Sequence, residues 1–589
     1  MIPMTHAQTQ PATPVIPLPP RAAHLTTLTG ATLTLATTFL AWTWTTTFPG
    51  NLTINGYPGG LQTITLTGAT LTLLYATTAL APPRLQRLLA PAGTTPPTLL
   101  LALGTFAATW YTLAAITLDL GGLVNLEPGG YAAGAASLLT LTGALALPNT
   151  APTTTETTRR TPWQRLRHSL TPGPPPPPPR TLPTWAETLT IAAAFALGLL
   201  LLTYGIDTDY GELFTGYLIL TATGLAALHR AGLTTRLNHL TTKHRTTTLT
   251  AAFTAAACFP LTQTNDTYTN LATSILVFAT VALGLNVVVG LAGLLDLGYV
   301  AFLGVGAYTA ALVSGSPESA LHARFPFWAA VLTGIAASLL FGILIGAPTL
   351  RLRGDYLAIV TLGFGEIFRI TMTNLNGKTG PDITNGAMGI PNIPELNILG
   401  FNFGTTHHLL GIPIGRFGNY YLLMLLATLT VVLVFRRATD SRTGRAWIAI
   451  REDETAATAM GINAFRLKLL AFALGAALAG LAGTIHAHVI TTATPDQYQF
   501  AGTVPPNSAF LLAAVILGGM GTITGPLLGA ALLYLIPSKL DFMQDYQLLL
   551  FGLALILLMR FRPEGLVVDR RKQLEFHEPE TPTAKAPTP

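Results

Sequence analysis

The chain has 589 residues, of which 50% are hydrophobic and only 10% charged, with a formal net charge of +6. That balance excludes an ordinary soluble globular protein. Many apolar stretches approach the ~20 residues needed to cross about 30 Å of hydrocarbon, so a polytopic membrane protein is expected. The stretches are apolar on all sides, not alternating, which selects an all-α bundle over a β-barrel. The basic residues are scattered through loops, where they report topology and not nucleic-acid binding.

Residues 1–23 are proline-rich and lack an apolar region preceded by basic residues, so they read as a disordered cytoplasmic tail with no cleavable signal peptide. A threonine-rich membrane extension follows over 24–149, with helices near 24–46, 61–81, 96–118 and 131–148. Threonine survives in lipid because its hydroxyl bonds a carbonyl one turn back. The string TLTGATLTL occurs at 27–35 and 65–73, and TLTGA again at 140–144. So short a match favours low-complexity drift over a duplication.

Residues 150–185 form a Pro/Arg-rich linker containing the proline run 174–179, expected to be a semi-rigid cytoplasmic spacer. Further membrane helices are expected over 186–264, near 186–204, 214–229 and 247–262. Cys258, the single cysteine, lies in the last of these, which excludes an intrachain disulfide and a thiolate metal cluster. A second part, 265–568, carries helices near 270–290, 298–314, 327–347, 355–372, 419–435, 469–488, 507–519, 524–540 and 547–560. A tail over 569–589 ends the chain.

Basic and acidic loops alternate along this series. Arg84 and Arg87, then Arg159, Arg160, Arg165, Arg167 and Arg180, then Arg230, Arg236, Lys243 and Arg245, fall on one side. Asp119 and Glu127, then Asp207, Asp209 and Glu212, then Asp266 fall on the other. Continuing the alternation puts Arg351, Arg353, Arg570, Arg571 and Lys572 on the basic side, giving about sixteen crossings and cytoplasmic termini.

Glycine use changes in the second part: Gly284, Gly290, Gly293, Gly298, Gly304 and Gly306 crowd one region, and Gly518, Gly519, Gly521, Gly525 and Gly529 another. Small residues let helices approach closely, and clusters this dense also permit broken or re-entrant helices whose unwound backbone lines a path. Asn286, Gly290, Gly293, Gly365, Glu366, Gly518 and Gly519 are the candidate path residues. Glu366 and Arg369 lie three apart on one helix face, where they can pair; Glu366 is also a candidate for the amino group of a zwitterion or for a gate. Asp296 and Asp355 fall at helix ends and are expected to be solvated at an interface. His486 and His488 have no third ligand nearby and face different ways, so an interface position is expected and not a metal site.

Between two apolar runs lies a charged island, GRAWIAIREDETAATAMGINAFRLK (444–468). Wound as a helix, it puts Ala446, Trp447, Ile450, Ala457 and Met460 on one face and Arg451, Glu452, Thr455 and Thr458 away from it, with Asp453 intruding on the apolar side. Gly461 is expected to stop the helix. The sequence has no phosphate-binding loop: at 377–379 the lysine-threonine pair lacks the first glycine, Met372 standing in its place. No catalytic constellation and no resident cofactor are expected.

Five segments, LGLNVVVGLAGLLDLGYVAFLGVGAYTAAL (283–312), LRLRGDYLAIVTLGFGEIFRI (350–370), the charged island, AFALGAALAGLAGTI (471–485) and VILGGMGTITGPLLGA (515–530), together resemble permease subunits of branched-chain amino acid ATP-binding cassette (ABC) importers; FRPEGL (561–566) fits as well. The likeness is greatest to the longer of the two permease types. It implies that the island is a coupling loop for an ATPase, formed by Arg445, Arg451, Glu452, Glu454, Ala456, Ala457 and Gly461. One residue separates Glu454 from the alanine pair, where the usual form has none. It also implies a second permease, two cytoplasmic ATPases that bind ATP-Mg, an extracytoplasmic solute-binding protein docking near 373–419, and a bacterial plasma-membrane location. Urea or short amides are the competing cargo. A stand-alone ion-coupled carrier using Asp296 and Glu366 is the competing mechanism, and a signalling or assembly role is open for the first 264 residues.

Overall fold

The computed structural model describes residues 14–44, 60–148, 162–170, 183–208, 210–263, 265–350, 356–398, 400–409, 411–502, 507–540, 546–562 and 564–567. The expectations for Asp209, for Arg159, Arg160 and Arg180, for the proline run, for Arg351, Arg353 and Asp355, for most of the first tail and for the last lie outside these residues. The described chain is helical almost throughout and forms two units, Met1–Ala256 and Ala257–Pro589.

The first unit contains α1 (Pro20–Thr37), α2 (Gly60–Thr78), α3 (Pro83–Leu89), α4 (Thr95–Asp119), α5 (Pro128–Leu145), α6 (Pro162–Ser169), α7 (Thr184–Asp207), α8 (Gly211–Arg230), α9 (Leu233–Lys243) and the start of α10 (Arg245–Thr262). Threonine works as expected: Thr27, Thr34, Thr72, Thr105 and Thr140 each donate to the carbonyl four residues back, at 2.8–2.9 Å.

The recurring TLTGA string also has a packing role that composition does not reveal. In α1 and α5 the two copies face each other antiparallel: a Cβ on Gly30 would lie 2.6 Å from the Thr140 nitrogen, and one on Gly143 would lie 2.5 Å from that of Thr27. Thr34 and Thr140 hydroxyls meet across the contact at 3.2 Å. The copy in α2 sets Gly68 against Thr105 of α4, beside a Thr72–Thr105 hydroxyl pair at 3.1 Å. Glycine gives the close backbone approach and threonine fills the hydrogen-bonding need beside it. The first helix ends at Thr37, earlier than the 46 expected, because the indole of fully buried Trp42 donates to the Thr37 carbonyl at 2.8 Å and turns the chain back.

The second unit takes in the end of α10, then α11 (Asp266–Asn286), α12 (Val300–Val313), α13 (Phe327–Thr349), α14 (Tyr356–Asn374), α15 (Arg416–Asp440), α16 (Arg442–Glu452), α17 (Glu454–Ala459), α18 (Ala464–Ile490), α19 (Ser508–Gly518), α20 (Thr524–Lys539) and α21 (Gln547–Phe561). At its centre α11, α12, α13 and α18 pack together. The ring of Phe302 meets Tyr299 and Phe472 edge to face, at 6.0 and 5.5 Å, a favoured aromatic geometry. Between α14 and α15 the chain forms two small hairpins, β1 (Asn397–Ile398) with β2 (Phe401–Asn402) and β3 (His407–Leu409) with β4 (Ile412–Ile414). The segment is pinned to the turn after α18 by paired backbone bonds between Ile390 and Ala493.

Among the described residues eight helices are long and apolar enough to cross a membrane: α4, α7, α8, α11 with its extension to Leu291, α13, α14, α15 and α18. Replacing Gly30 by Leu is expected to destabilise the α1–α5 contact by about 1–3 kcal/mol, since extra atoms have nowhere to go. Gly198→Leu, at a position with open space around it, should leave the melting temperature of the purified chain in detergent unchanged. Equal melting for both variants would contradict this packing.

Candidate functional site

Helix α11 does not end cleanly. Its last turns widen into a π-helical segment, Val287–Leu291, and the chain then unwinds through Ala292–Tyr299 before α12. Such widening leaves backbone groups without their regular partners, and side chains must supply them. Gly293 at φ +71° makes the turn, a left-handed conformation that glycine adopts at little cost.

Four polar side chains hold this region together. The fully buried Asn286 amide donates to the Thr522 carbonyl at 2.7 Å and accepts from Gly521 N–H at 2.9 Å, so one side chain bonds the break after α11 to the unwound stretch between α19 and α20. The Tyr299 hydroxyl donates to the Gly475 carbonyl of α18 at 2.7 Å. Thr361 of α14 accepts from Leu297 N–H at 3.1 Å. Ser508, near the start of α19, accepts from Val300 N–H at 3.0 Å.

The fifth tie comes from the charged island. Arg451 reaches in from the last turn of α16 and its Nη1 donates to the carbonyl of Gly290. Its side chain also lies against Gly293, where a Cβ would come within 2.8 Å of the arginine Cγ. Arg451 was expected on the outward face; the unwound backbone draws it inward by offering an acceptor and a glycine-sized gap.

The island is two helices and not one. Asp453, read as an intrusion on the apolar face, instead caps α17, its carboxylate accepting from Thr455 N–H at 2.8 Å and Ala456 N–H at 2.9 Å. A short polar side chain in an extended backbone is the preferred start of a helix, so the chain restarts there. Ser441 and Asn463 cap α16 and α18 in the same way. Trp447 is buried, its indole donating to the Leu467 carbonyl at 2.7 Å, and Ile450, Ala457 and Ala464 pack beneath the kink.

The remaining island residues divide by exposure. Arg445, Glu452, Glu454 and Ala456 are exposed and Ala457 is buried. Glu454 pairs with Lys468 at 2.7 Å. Gly461, at φ +85°, ends the helical run. Met460, expected on the packed face, is 84% exposed, because the kink at Asp453 rotates the second helix. The result is a fixed two-helix platform that exposes Arg442 and Arg445 at its start, Glu452, Asp453 and Glu454 at its kink, and a protruding thioether.

The second glycine cluster is closed by the chain's last described residues. Leu566 and Val567 N–H groups donate to the carbonyls of Leu517 and Gly518, each at 2.8 Å, and Gly519 at φ +121° lies against the Val567 carbonyl. Gly365 packs on Gly298, joining α14 to the break. Thus Asn286, Gly290, Gly293, Gly365, Gly518 and Gly519 gather around the two unwound stretches, whereas Glu366 lies on a different face of α14.

Two expectations change. Asp296 is fully buried, not solvated: one carboxylate oxygen accepts from Gly298 N–H at 3.0 Å and the other has no partner among the described residues. The unwinding that puts it inside also supplies the amide that holds it. His486 and His488 are likewise buried and not at an interface, because α18 is the central helix of the unit. His488 bonds the Pro394 carbonyl at 3.0 Å and Ser314 at 3.3 Å. No group of three potential metal ligands occurs among the described residues.

An all-helical, multi-pass membrane protein with broken helices at its centre and a rigid polar platform tied to them has the build of a transport permease. Residues 267–559 match the family described as branched-chain amino acid transport system, permease component. The high-affinity branched-chain amino acid transport system permease protein LivM of Salmonella typhimurium is 39% identical over 319 residues, 52% of this chain and 71% of that protein. Its counterpart in Escherichia coli K12 is 38% identical over 56% of this chain and 76% of that protein. A permease protein named LivH, also from Escherichia coli K12, is 30% identical over 25% of this chain and 46% of its own length. No solved structure matches the chain. The chain belongs to the branched-chain amino acid transport permease family.

Removing the Asn286 amide by Asn286→Ala deprives the part-buried Gly521 N–H and Thr522 carbonyl of their partner, at a cost of about 0.5–1.5 kcal/mol. The loss should appear as earlier thermal unfolding of the detergent-solubilised chain. Unchanged melting would mean that the two unwound stretches are held by other contacts.

Proposed function

We propose that the chain is the longer permease subunit of an ATP-binding cassette importer that carries branched-chain or related apolar amino acids across the plasma membrane, both termini being cytoplasmic. ATP-Mg binding and hydrolysis belong to two partner ATPases, and this chain is a transport subunit and not an enzyme. A second permease completes the membrane part, and an extracytoplasmic solute-binding protein delivers cargo to the hairpin-bearing segment between α14 and α15. The first unit, which lies outside the family match, is an appendage to this core.

The observation that carries this reading is the fixed, exposed platform of α16 and α17 with Arg451 bonded to the broken helix. A solvated loop has no need of three capped helix starts and a buried tryptophan. A docking element does, since a lever transmits force only if it is stiff and joined to the part that moves. The acidic kink at 452–454 suits basic groups on an ATPase. A self-sufficient carrier leaves the platform without a purpose.

Affinity purification of the tagged chain from its native membrane, followed by identification of bound proteins, tests the proposal. A Walker-motif ATPase and a second permease should come with the native chain. Glu454→Arg should lower ATPase affinity by about a hundredfold, as reversing an interfacial charge costs about 3 kcal/mol, whereas Lys468→Gln, which breaks only the internal pair, should retain it. Recovery of the native chain alone would reject the importer reading.

A further inference from the structure

Helix α14 is the least sheltered of the second unit's long helices: its Leu357, Ala358, Thr361, Gly365 and Phe368 pack inward, and the opposite side is left open. On that open side Ile359, Ile367 and Ile370 are 63, 65 and 50% exposed. Such a face alone would suit lipid.

Glu366 and Arg369 make it unsuitable for lipid. Their side chains are 40 and 31% exposed, and Arg369 Nε donates to Glu366 at 2.9 Å. Glu366 lies about 15 Å along the axis from the first residue of α14, half of a hydrocarbon core of about 30 Å. An ion pair there, presented to acyl chains, is costly even though it is neutral overall. The pair is also incompletely used. Among the described residues it makes one hydrogen bond, leaving a second carboxylate oxygen and the guanidinium fork, whose Nη1 is 3.9 Å from Asp496. Asp496, 73% exposed, lies on the turn after α18, at the end of the bundle remote from the platform. Charged groups therefore run in a line from an exposed turn to the middle of a membrane-length helix.

Resting on the importer reading above, we propose that Glu366 and Arg369 form the recognition site for the zwitterionic head of the transported amino acid. The free carboxylate oxygen of Glu366 accepts from the α-ammonium. The guanidinium fork of Arg369 takes the α-carboxylate, a planar match that lysine cannot reproduce. The two groups of an α-amino acid are one carbon apart and opposite in charge, so they insert between partners that already face each other. Each charge stays paired at depth. The aliphatic side chain lies over Ile367 and Ile370. A neutral amide or urea offers no ammonium to Glu366, so this site selects zwitterions over them.

The test is leucine uptake by the whole complex in proteoliposomes, with co-purification of the second permease measured in parallel. Native complex should discriminate against 4-methylpentanoate, which lacks the ammonium, and 3-methylbutylamine, which lacks the carboxylate. Glu366→Gln and Arg369→Gln should each lower uptake by about tenfold or more, the loss of one charged hydrogen bond. The decisive variant is the exchange Glu366→Arg with Arg369→Glu, made in an Asp496→Asn chain and compared with Asp496→Asn alone, so that the relocated glutamate meets no second carboxylate. A merely structural pair survives the exchange, because the same two residues still bridge three apart on one helix, whereas a substrate site is inverted and uptake stays low. Exchange-variant uptake within about twofold of that of Asp496→Asn alone would overturn the site and leave the importer standing. Failure of the native complex to take up any branched-chain amino acid would overturn the functional reading and the site with it. Should the exchange variant not assemble, Glu366→Cys in a Cys258→Ser chain serves instead: leucine should slow maleimide labelling, and unaltered labelling overturns the proposal.

Discussion

A backbone carbonyl or amide that leaves its helix at membrane depth has no water to turn to, and the second unit is organised around that constraint. The unwound stretch between α11 and α12 and the one between α19 and α20 both expose backbone groups. Asn286 answers the two at once, since its amide both donates and accepts. Arg451 answers the Gly290 carbonyl from outside the bundle. The breaks are thus stable only while their neighbours stay where they are, and Arg451 ties the platform to the break.

The glycines complete the arrangement. Gly290 leaves room for Asn286 and for Gly521, Gly293 makes the turn on which Arg451 rests, and Gly365 lets α14 approach Gly298. A Cβ on Gly290 would meet the Asn286 side chain and the Gly521 nitrogen, and one on Gly293 the Arg451 side chain, so a substitution at either displaces the groups that hold the break. A tightly filled interior has few intermediate positions, so motion through it favours switching between packed arrangements over gradual deformation.

The helices were legible because lipid demands long apolar runs, and their bounds follow the runs closely from α4 to α21. What the sequence hid depended on contacts between distant residues. The early end of α1 rests on Trp42 folding back to Thr37, a tertiary cap with no local signature. Asp453 carried a usable signal, a short acidic side chain ahead of two free amides, but it was read against a continuous wheel and looked misplaced. The inward turn of Arg451 joins residues 161 positions apart, and no spacing rule reaches that far. Asp296 and the two histidines looked like interface residues because charge at helix ends usually is; here the chain unwinds inside the bundle and takes Asp296 with it. Glu366 and Arg369 were legible as a pair, but only the open face of α14 shows that the pair has unused bonding capacity.

The platform and the broken helix are expected to move as one through Arg451. The direct measurement is the ratio of leucine uptake to ATP hydrolysis in a reconstituted complex carrying Arg451→Ala. If the tie transmits motion, hydrolysis continues while uptake per ATP falls by about tenfold, the magnitude of one charge-assisted hydrogen bond. A fully assembled variant that keeps the native ratio would mean that Arg451 transmits no motion and only packs against Gly293.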